Sequence, residues 1–136
     1  MTTSKPKRAR GKGPPERKTI VVVDDEVGTV DVLVAALSAS GFTVKGMTDS
    51  SEALAKLRAA PPSVVLLDMI MPELDGAQLL RSIRAEPRLK QTHVIMLSGL
   101  PESMVRRRCS GYSGFLRKPF TLDELLAVLE RLKPLH

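Results

Sequence analysis

Five short apolar runs punctuate the chain, and four of them lead directly into charged or hydroxyl residues. Unbroken apolar runs of this length are typical of strands buried on both faces of a parallel sheet. The run at 42–47 is less apolar, which predicts a strand at the sheet edge. The predicted strands are 19–23, 42–47, 64–67, 93–97 and 115–117.

Apolar residues at helical spacing follow the strands, which predicts a helix after each one. The segment 101–109 predicts only a short fourth helix. Three helix starts carry the pattern of a capping box, namely Asp49 with Glu52, Asp75 with Gln78, and Thr121 with Glu124. The predicted inward faces hold Val27, Val30, Val34 and Leu37 in the first helix, Ala53, Leu54 and Leu57 in the second, Leu79, Leu80 and Ile83 in the third, and Leu122, Leu125, Leu126, Leu129 and Leu132 in the fifth.

Strands alternating with helices indicate an α/β fold, in which right-handed crossovers cover both faces of a parallel sheet. We therefore predict a doubly wound, five-stranded parallel sheet with five helices. For this length the flavodoxin-like order 2-1-3-4-5 fits, and its switch point lies between the first and third strands. Ligands bind at such a point, outside the carboxyl ends of the strands.

The net positive charge of the protein comes from its first 18 residues. Residues 1–18 contain seven basic residues and one acidic residue, whereas 19–136 contain fourteen of each. Residues 1–17 are also rich in Gly and Pro and have little to bury, which predicts a disordered basic tail before a domain at 18–136. Such a tail either solubilises the protein or attracts nucleic acid, acidic membrane or an acidic partner.

Composition narrows the class of protein further. The single cysteine, Cys109, cannot form an internal disulfide, and no signal peptide or membrane span is visible, which predicts a cytoplasmic protein. No helix-turn-helix, zinc or aromatic RNA-binding motif is present, so we expect no specific nucleic-acid partner.

Three carboxylates are predicted to meet at the switch point. Asp24 and Asp25 follow the first strand and Asp68 follows the third. Their mutual repulsion requires a positive group, and a hard divalent cation with oxygen ligands, Mg²⁺, fits best.

Two further strand ends supply Ser98 and Lys118. A metal, a lysine and a hydroxyl are the groups that neutralise a phosphoryl group, and a carboxylate can be the nucleophile that receives it. Asp68, as the central carboxylate, suits that role.

These motifs resemble the receiver domain of two-component response regulators. The resemblance covers about 18–132 and is carried by Val-Val-Val-Asp-Asp-Glu at 21–26, Leu-Leu-Asp-Met-Ile-Met-Pro-Glu-Leu-Asp-Gly at 66–76, Leu-Ser-Gly at 97–99 and Phe-Leu-Arg-Lys-Pro-Phe at 115–120. It implies that Asp68 accepts a phosphoryl group from a sensor histidine kinase or a histidine phosphotransfer protein. It also implies that Lys118 pairs with the phosphoryl oxygens, that Ser98 takes the hydroxyl switch position and that Phe115 takes the aromatic one.

The resemblance also implies a metal site and an output surface. Asp25, Asp68 and the main-chain carbonyl of Ile70 would bind Mg²⁺, with Asp24 acting through a water. A downstream protein would bind the face formed by helix 4, strand 5 and helix 5, with the chain as a monomer or a phosphorylation-dependent dimer. The segment 98–111 is about two residues shorter than is usual for the family and ends near an Arg run, 106–108, so the mode of binding there stays open.

Several interpretations of the function stay open. The leading one is a stand-alone signalling protein or phosphorelay intermediate that is not an enzyme, and another is a receiver fragment of a larger regulator or hybrid kinase. A Mg²⁺-dependent phosphohydrolase with an aspartyl-phosphate intermediate would need a second carboxylate beside the nucleophile, where the chain has Ile70.

Overall fold

The computed structural model describes residues 18–70 and 75–132. The predicted tail at 1–17 lies outside these residues, so its disorder and the domain boundary stay predictions. The strands are β1 Thr19–Val23, β2 Thr43–Met47, β3 Val64–Asp68, β4 His93–Ser98 and β5 Gly114–Arg117. The helices are α1 Val27–Ala39, α2 Ser50–Ala59, α3 Gly76–Ala85, α4 Glu102–Arg108 and α5 Leu122–Glu130, with one 3₁₀ turn at Pro87–Leu89.

The five strands form one parallel sheet in the order β2-β1-β3-β4-β5. The predicted flavodoxin-like architecture is therefore confirmed. The register aligns Val23 of β1 with Leu67 of β3, so that the residues after these two strands emerge side by side. Within the described part of the chain, no helix has the length and apolar character needed to cross a bilayer.

The sheet is packed on both faces, which explains the unbroken apolar runs. All five residues of β3 are buried, as its continuous apolar pattern predicts. One core layer packs the sheet against α2, α3 and α4, and the other packs it against α1 and α5. The edge strand β2 has no fully buried residue, as predicted.

The inward faces of α1 and α5 differ from the prediction by a small rotation. In α1 the buried residues are Val30, Leu33 and Leu37, whereas Val27 is 58% exposed. At 3.6 residues per turn, Val27 is displaced by about 60° from Val30 around the helix, on the side away from Leu33. In α5, Val128 is buried, whereas Leu122, the first helical residue, is 39% exposed.

Two of the three predicted capping boxes are present. Asp75 and Gln78 cap α3 reciprocally, and Thr121 and Glu124 do the same for α5. The third is only half right: Asp49 accepts from the Ser51 backbone N–H at 3.0 Å. The carboxylate of Glu52 instead pairs with Lys56 at 3.2 Å, one turn further along α2.

The predicted short α4 is confirmed, and the loop after it is fastened by an arginine. Arg84, in the last turn of α3, donates from Nε to the Gly111 carbonyl and from Nη1 to the Thr92 carbonyl, both at 2.8 Å. Gly111 has a φ of +91°, a left-handed conformation that glycine adopts without strain. Partial burial lowers the pKa of Arg84. This contact sets where the chain enters β5.

Candidate functional site

The carboxyl ends of β1 and β3 bring the three predicted acidic residues together. Oxygens of Asp24, Asp25 and Asp68 all lie within 4.8 Å of one another. Asp24 and Asp68 are buried, with 2% and 8% of their surfaces exposed, while Asp25 faces solvent. The cluster is therefore a cleft with two carboxylates in its floor and one at its rim.

Backbone hydrogen bonds fix the two buried carboxylates. The Asp24 N–H donates to the Met47 carbonyl at 3.1 Å, and the Glu26 N–H donates to Asp24 Oδ1 at 3.0 Å. On the other side, the Met69 N–H donates to the Leu97 carbonyl at 2.9 Å, which continues the β3–β4 ladder one residue past Asp68. The acids are thus presented by rigid strand ends.

Lys118 reaches this cluster from the end of β5. Its Nζ lies 2.9 Å from Asp68 Oδ1 and 3.5 Å from Asp24 Oδ2. The Lys118 backbone N–H donates to the Ser98 carbonyl at 2.7 Å, which continues the β4–β5 ladder past the last strand residue. The lysine stem is therefore anchored to the strand that carries Ser98, and its ammonium is directed at Asp68.

Burial and charge act in opposite directions on these groups. Burial raises the pKa of Asp68, and the charges of Asp24 and Asp25 add to the rise, while Lys118 opposes it. Burial also raises the pKa of Asp24, although the hydrogen bond from the Glu26 N–H and the charge of Lys118 act to lower it. For Lys118, burial alone would lower the pKa, but the hydrogen bond and charge of Asp68 outweigh it, so that the pKa is raised. Lys118 is thus a cation that the acidic site itself maintains.

Ser98 and Phe115 occupy neighbouring strands beside the acidic cluster. Ser98 is 2% exposed, and its Oγ accepts from the Leu100 N–H at 2.9 Å. Phe115 is half-buried and pairs in register with Met96 of β4. Leu100 and Phe115 both pack against the core layer that contains α4. The hydroxyl is therefore attached to the segment that leads into α4.

The all-oxygen donor set fits a hard cation. Besides the three carboxylates, the predicted ligand set includes the main-chain carbonyl of Ile70, which lies two residues after Asp68 and is 60% exposed. Mg²⁺ is typically held by one or two carboxylates together with waters, and the exposed Asp25 leaves room for water at the rim. The softer candidate ligand, Cys109, is buried in the core layer beneath α4. The residues present therefore match Mg²⁺ rather than zinc.

A glycine contact beside Asp68 was not predicted from the sequence. The Gly76 N–H donates to the Met69 carbonyl at 2.8 Å. A Cβ at Gly76 would lie 2.9 Å from Met69 Cα and closer still to the Asp68 carbonyl. The Asp-Gly pair at 75–76 therefore combines a helix cap with a close approach of two backbones. Part of the same motif, 71–74, lies outside the described residues.

The predicted site residues are thus brought to one edge of the sheet. Asp24, Asp25, Asp68 and Lys118 form one cluster, and Ser98 ends the adjacent strand. The sequence did not reveal that the Glu26 N–H orients Asp24, because backbone donors have no sequence signature.

Comparison with known proteins agrees with this geometry. The sequence family described as "Response regulator receiver domain" matches residues 20–130. The chain is 32% identical over 127 residues to the transcriptional regulatory protein TrcR of Mycobacterium tuberculosis, covering 93% of this chain and 49% of TrcR. It is 33% identical to the phosphate regulon transcriptional regulatory protein PhoB of Rhizobium meliloti, covering 85% of this chain and 53% of PhoB. The chain thus spans about half the length of these relatives.

Solved structures with the same fold include free-standing and kinase-attached domains. The chemotaxis protein CheY4 of Vibrio cholerae matches with a TM-score of 0.78 and 29% identity, covering 86% of this chain and 99% of that one. The receiver domain of the sensor histidine kinase PA1611 of Pseudomonas aeruginosa matches with a TM-score of 0.78 and 28% identity, covering 85% and 97%. That second structure carries a magnesium ion in its active-site cleft.

Replacing Gly76 by alanine is expected to destabilise the protein by about 1–3 kcal/mol, because the added methyl group collides with backbone beside Asp68. Gly28 provides a matched control in the first turn of α1, where a Cβ would meet nothing within 4 Å. Gly28→Ala is expected to stabilise the fold by about 0.5–1 kcal/mol through helix propensity. Urea unfolding measures both, and a Gly76→Ala variant as stable as the parent would contradict the close approach.

Proposed function

The chain belongs to the receiver domain family of two-component response regulators, and we propose that Asp68 is its phosphoacceptor. The contact between Lys118 Nζ and Asp68 Oδ1, at 2.9 Å, carries this proposal. A carboxylate oxygen of Asp68 would attack the phosphorus of a phosphohistidine, forming the new O–P bond as the N–P bond to the donor breaks. Lys118 would then pair with the negatively charged phosphoryl oxygens, because its ammonium already lies beside the attacking carboxylate.

Receiver domains bind Mg²⁺ at an acidic pocket, and the acidic cluster of this chain provides one. We infer that Asp25, Asp68 and the Ile70 carbonyl hold the ion, with Asp24 acting through a water. When bound, Mg²⁺ would neutralise charge on the incoming phosphoryl group. Asp24 would also keep Lys118 within reach, because its Oδ2 lies 3.5 Å from the ammonium.

The proposed output runs from Ser98 towards α4. In the described structure the Ser98 Oγ accepts from the Leu100 N–H, so turning the hydroxyl towards a phosphoryl oxygen would release that N–H. Leu100 and Phe115 share a core layer with α4 and would move with it. We infer that a downstream protein reads the α4–β5–α5 face, and that the chain signals in the cytoplasm without turning over a separate substrate.

Asp68→Asn is expected to abolish labelling by a radiolabelled phosphohistidine donor in Mg²⁺, because the amide oxygen is a poor nucleophile. The measurement is acid-labile, hydroxylamine-sensitive label on the protein. Asp123→Asn, an exposed change on α5, is the control and should label like the parent. Undiminished labelling of the Asp68 variant would move the phosphoacceptor to another residue.

Asp25→Ala is expected to weaken Mg²⁺ binding by about tenfold or more, since it removes a charged ligand from the rim of the cluster. Isothermal calorimetry on the unphosphorylated protein measures this directly. Asp31→Ala, at an exposed position of α1, removes the same charge away from the cluster. Equal Mg²⁺ affinities of the two variants would show that Asp25 is not a ligand of the metal.

The lifetime of the phosphoryl group is proposed to depend on two apolar residues. Ile70 is 60% exposed two residues after Asp68, and the half-buried Leu100 lies two residues after Ser98. Neither side chain can hydrogen-bond a water that attacks opposite the Asp68–phosphorus bond. We therefore expect slow self-dephosphorylation, suited to a lasting signal.

The decay rate of phosphorylated protein in Mg²⁺ tests this shielding. Ile70→Asn and Leu100→Glu should each speed decay, and the double variant should be fastest. Met104→Gln, an apolar-to-polar change at an exposed α4 position, controls for the loss of apolar surface. Decay that is unchanged or slower in the double variant would show that the two residues do not shield the site.

A further inference from the structure

Four arginines surround a small cavity between α3 and α4. Arg81 comes from α3, and Arg106, Arg107 and Arg108 form the last turn of α4. Together with Cys109 and Ser110 they line a cavity of about 260 Å³, here called the arginine pocket. Its volume suits side chains of a partner rather than a large ligand.

Within residues 18–70 and 75–132, no carboxylate forms an ion pair with the four guanidinium groups. Among the described residues, the ion pairs within 4.0 Å involve Lys56, Arg58 and Lys118, and none includes an arginine of the pocket. All four arginines are exposed. Lys118 lies within 4.0 Å of two carboxylates, whereas the charged residues that are described as lining the arginine pocket are all cations.

The fold holds these charges together. Val105 is fully buried and Cys109 is 7% exposed, so α4 is pinned to the core while the arginines between them face outwards. The dipole of α4 favours cations in its last turn. The dipole of α4 does not explain the position of Arg81, which belongs to α3 and lines the same cavity. Placing four guanidinium groups together costs free energy because like charges repel, and a bound anionic partner would offset this cost.

We propose that the arginine pocket is a docking surface for an acidic segment of a partner protein, rich in Asp and Glu. Guanidinium groups bind carboxylates in paired, parallel hydrogen bonds, and four of them can engage successive acidic side chains. The basic N-terminal tail of this chain, which has the same sign of charge, is excluded as the occupant.

An acidic protein segment fits this surface better than nucleic acid does. The positive surface is short, because it is confined to one turn of α4 and one residue of α3. The acidic residue at the start of α4, Glu102, lies outside the pocket and accepts a hydrogen bond from the Tyr112 hydroxyl. A phosphate backbone gains its affinity from a longer basic track than one turn of α4 and one residue of α3 provide.

Fluorescence anisotropy of the full chain tests the proposal with two probes, a labelled oligoglutamate peptide and a labelled single-stranded DNA. The pocket variant combines Arg81→Gln, Arg106→Gln and Arg107→Gln. The control variant combines Arg88→Gln, Lys90→Gln and Arg131→Gln, which removes the same charge from exposed positions outside the pocket. Every protein is also measured with Asp68→Asn, so that the result does not depend on phosphorylation.

The pocket variant should bind the peptide about tenfold more weakly than the parent, because each exposed ion pair contributes a few-fold in affinity. The control should lose less than about twofold by the same reasoning. Equal losses in the two variants would assign the binding to net charge or the tail and overturn the proposal. So would pocket-dependent binding of the DNA in preference to the peptide, or self-association of the chain that the pocket substitutions abolish.

Discussion

The excess negative charge at the acidic cluster is the central physical constraint on this structure. Three carboxylates meet at the ends of β1 and β3, and one ammonium, that of Lys118, lies against them. Two unit charges about 4 Å apart repel by about 4 kcal/mol at an effective dielectric constant of 20. The cluster therefore does not hold itself together. The buried sheet holds it, because the strands that end in these acids are fixed by backbone ladders and by packing on both faces.

This constraint explains why the site could be predicted well from the sequence. A strand buried on both faces has an unmistakable apolar pattern, so the ends of β1, β3 and β4 could be predicted within one residue. Parallel strands share one carboxyl edge, so locating the ends also placed Asp24, Asp68 and Ser98 together. The prediction was weaker for the helices. Successive helical residues are turned by 100°, so a small error in the predicted inward face assigned the exposed Val27 to it.

The contacts that escaped prediction join distant residues through irregular backbone. Arg84 reaches Gly111 across 27 positions of sequence, and the approach of Gly76 to Met69 follows from how α3 begins. Tyr112 likewise donates from its hydroxyl to Glu102 at 2.9 Å, and burial together with this bond raises the pKa of Tyr112 to about 12. Neither periodicity nor a motif marks such pairs, because each depends on the course of a loop that tertiary packing determines.

One of these contacts, between Tyr112 and Glu102, helps to determine the position of α4. A helix of seven residues is not stable alone in water, and Pro101, the residue before α4, provides no side-chain cap. Its place therefore depends on the burial of Val105, on the Tyr112–Glu102 bond and on the Ser98–Leu100 turn that precedes it. Segments of low local stability are the ones that shift when a contact is lost. One end of α4 is tied to the hydroxyl beside the acidic cluster and the other carries the exposed arginines, so this short helix connects the acidic cluster to the surface through few stabilising contacts.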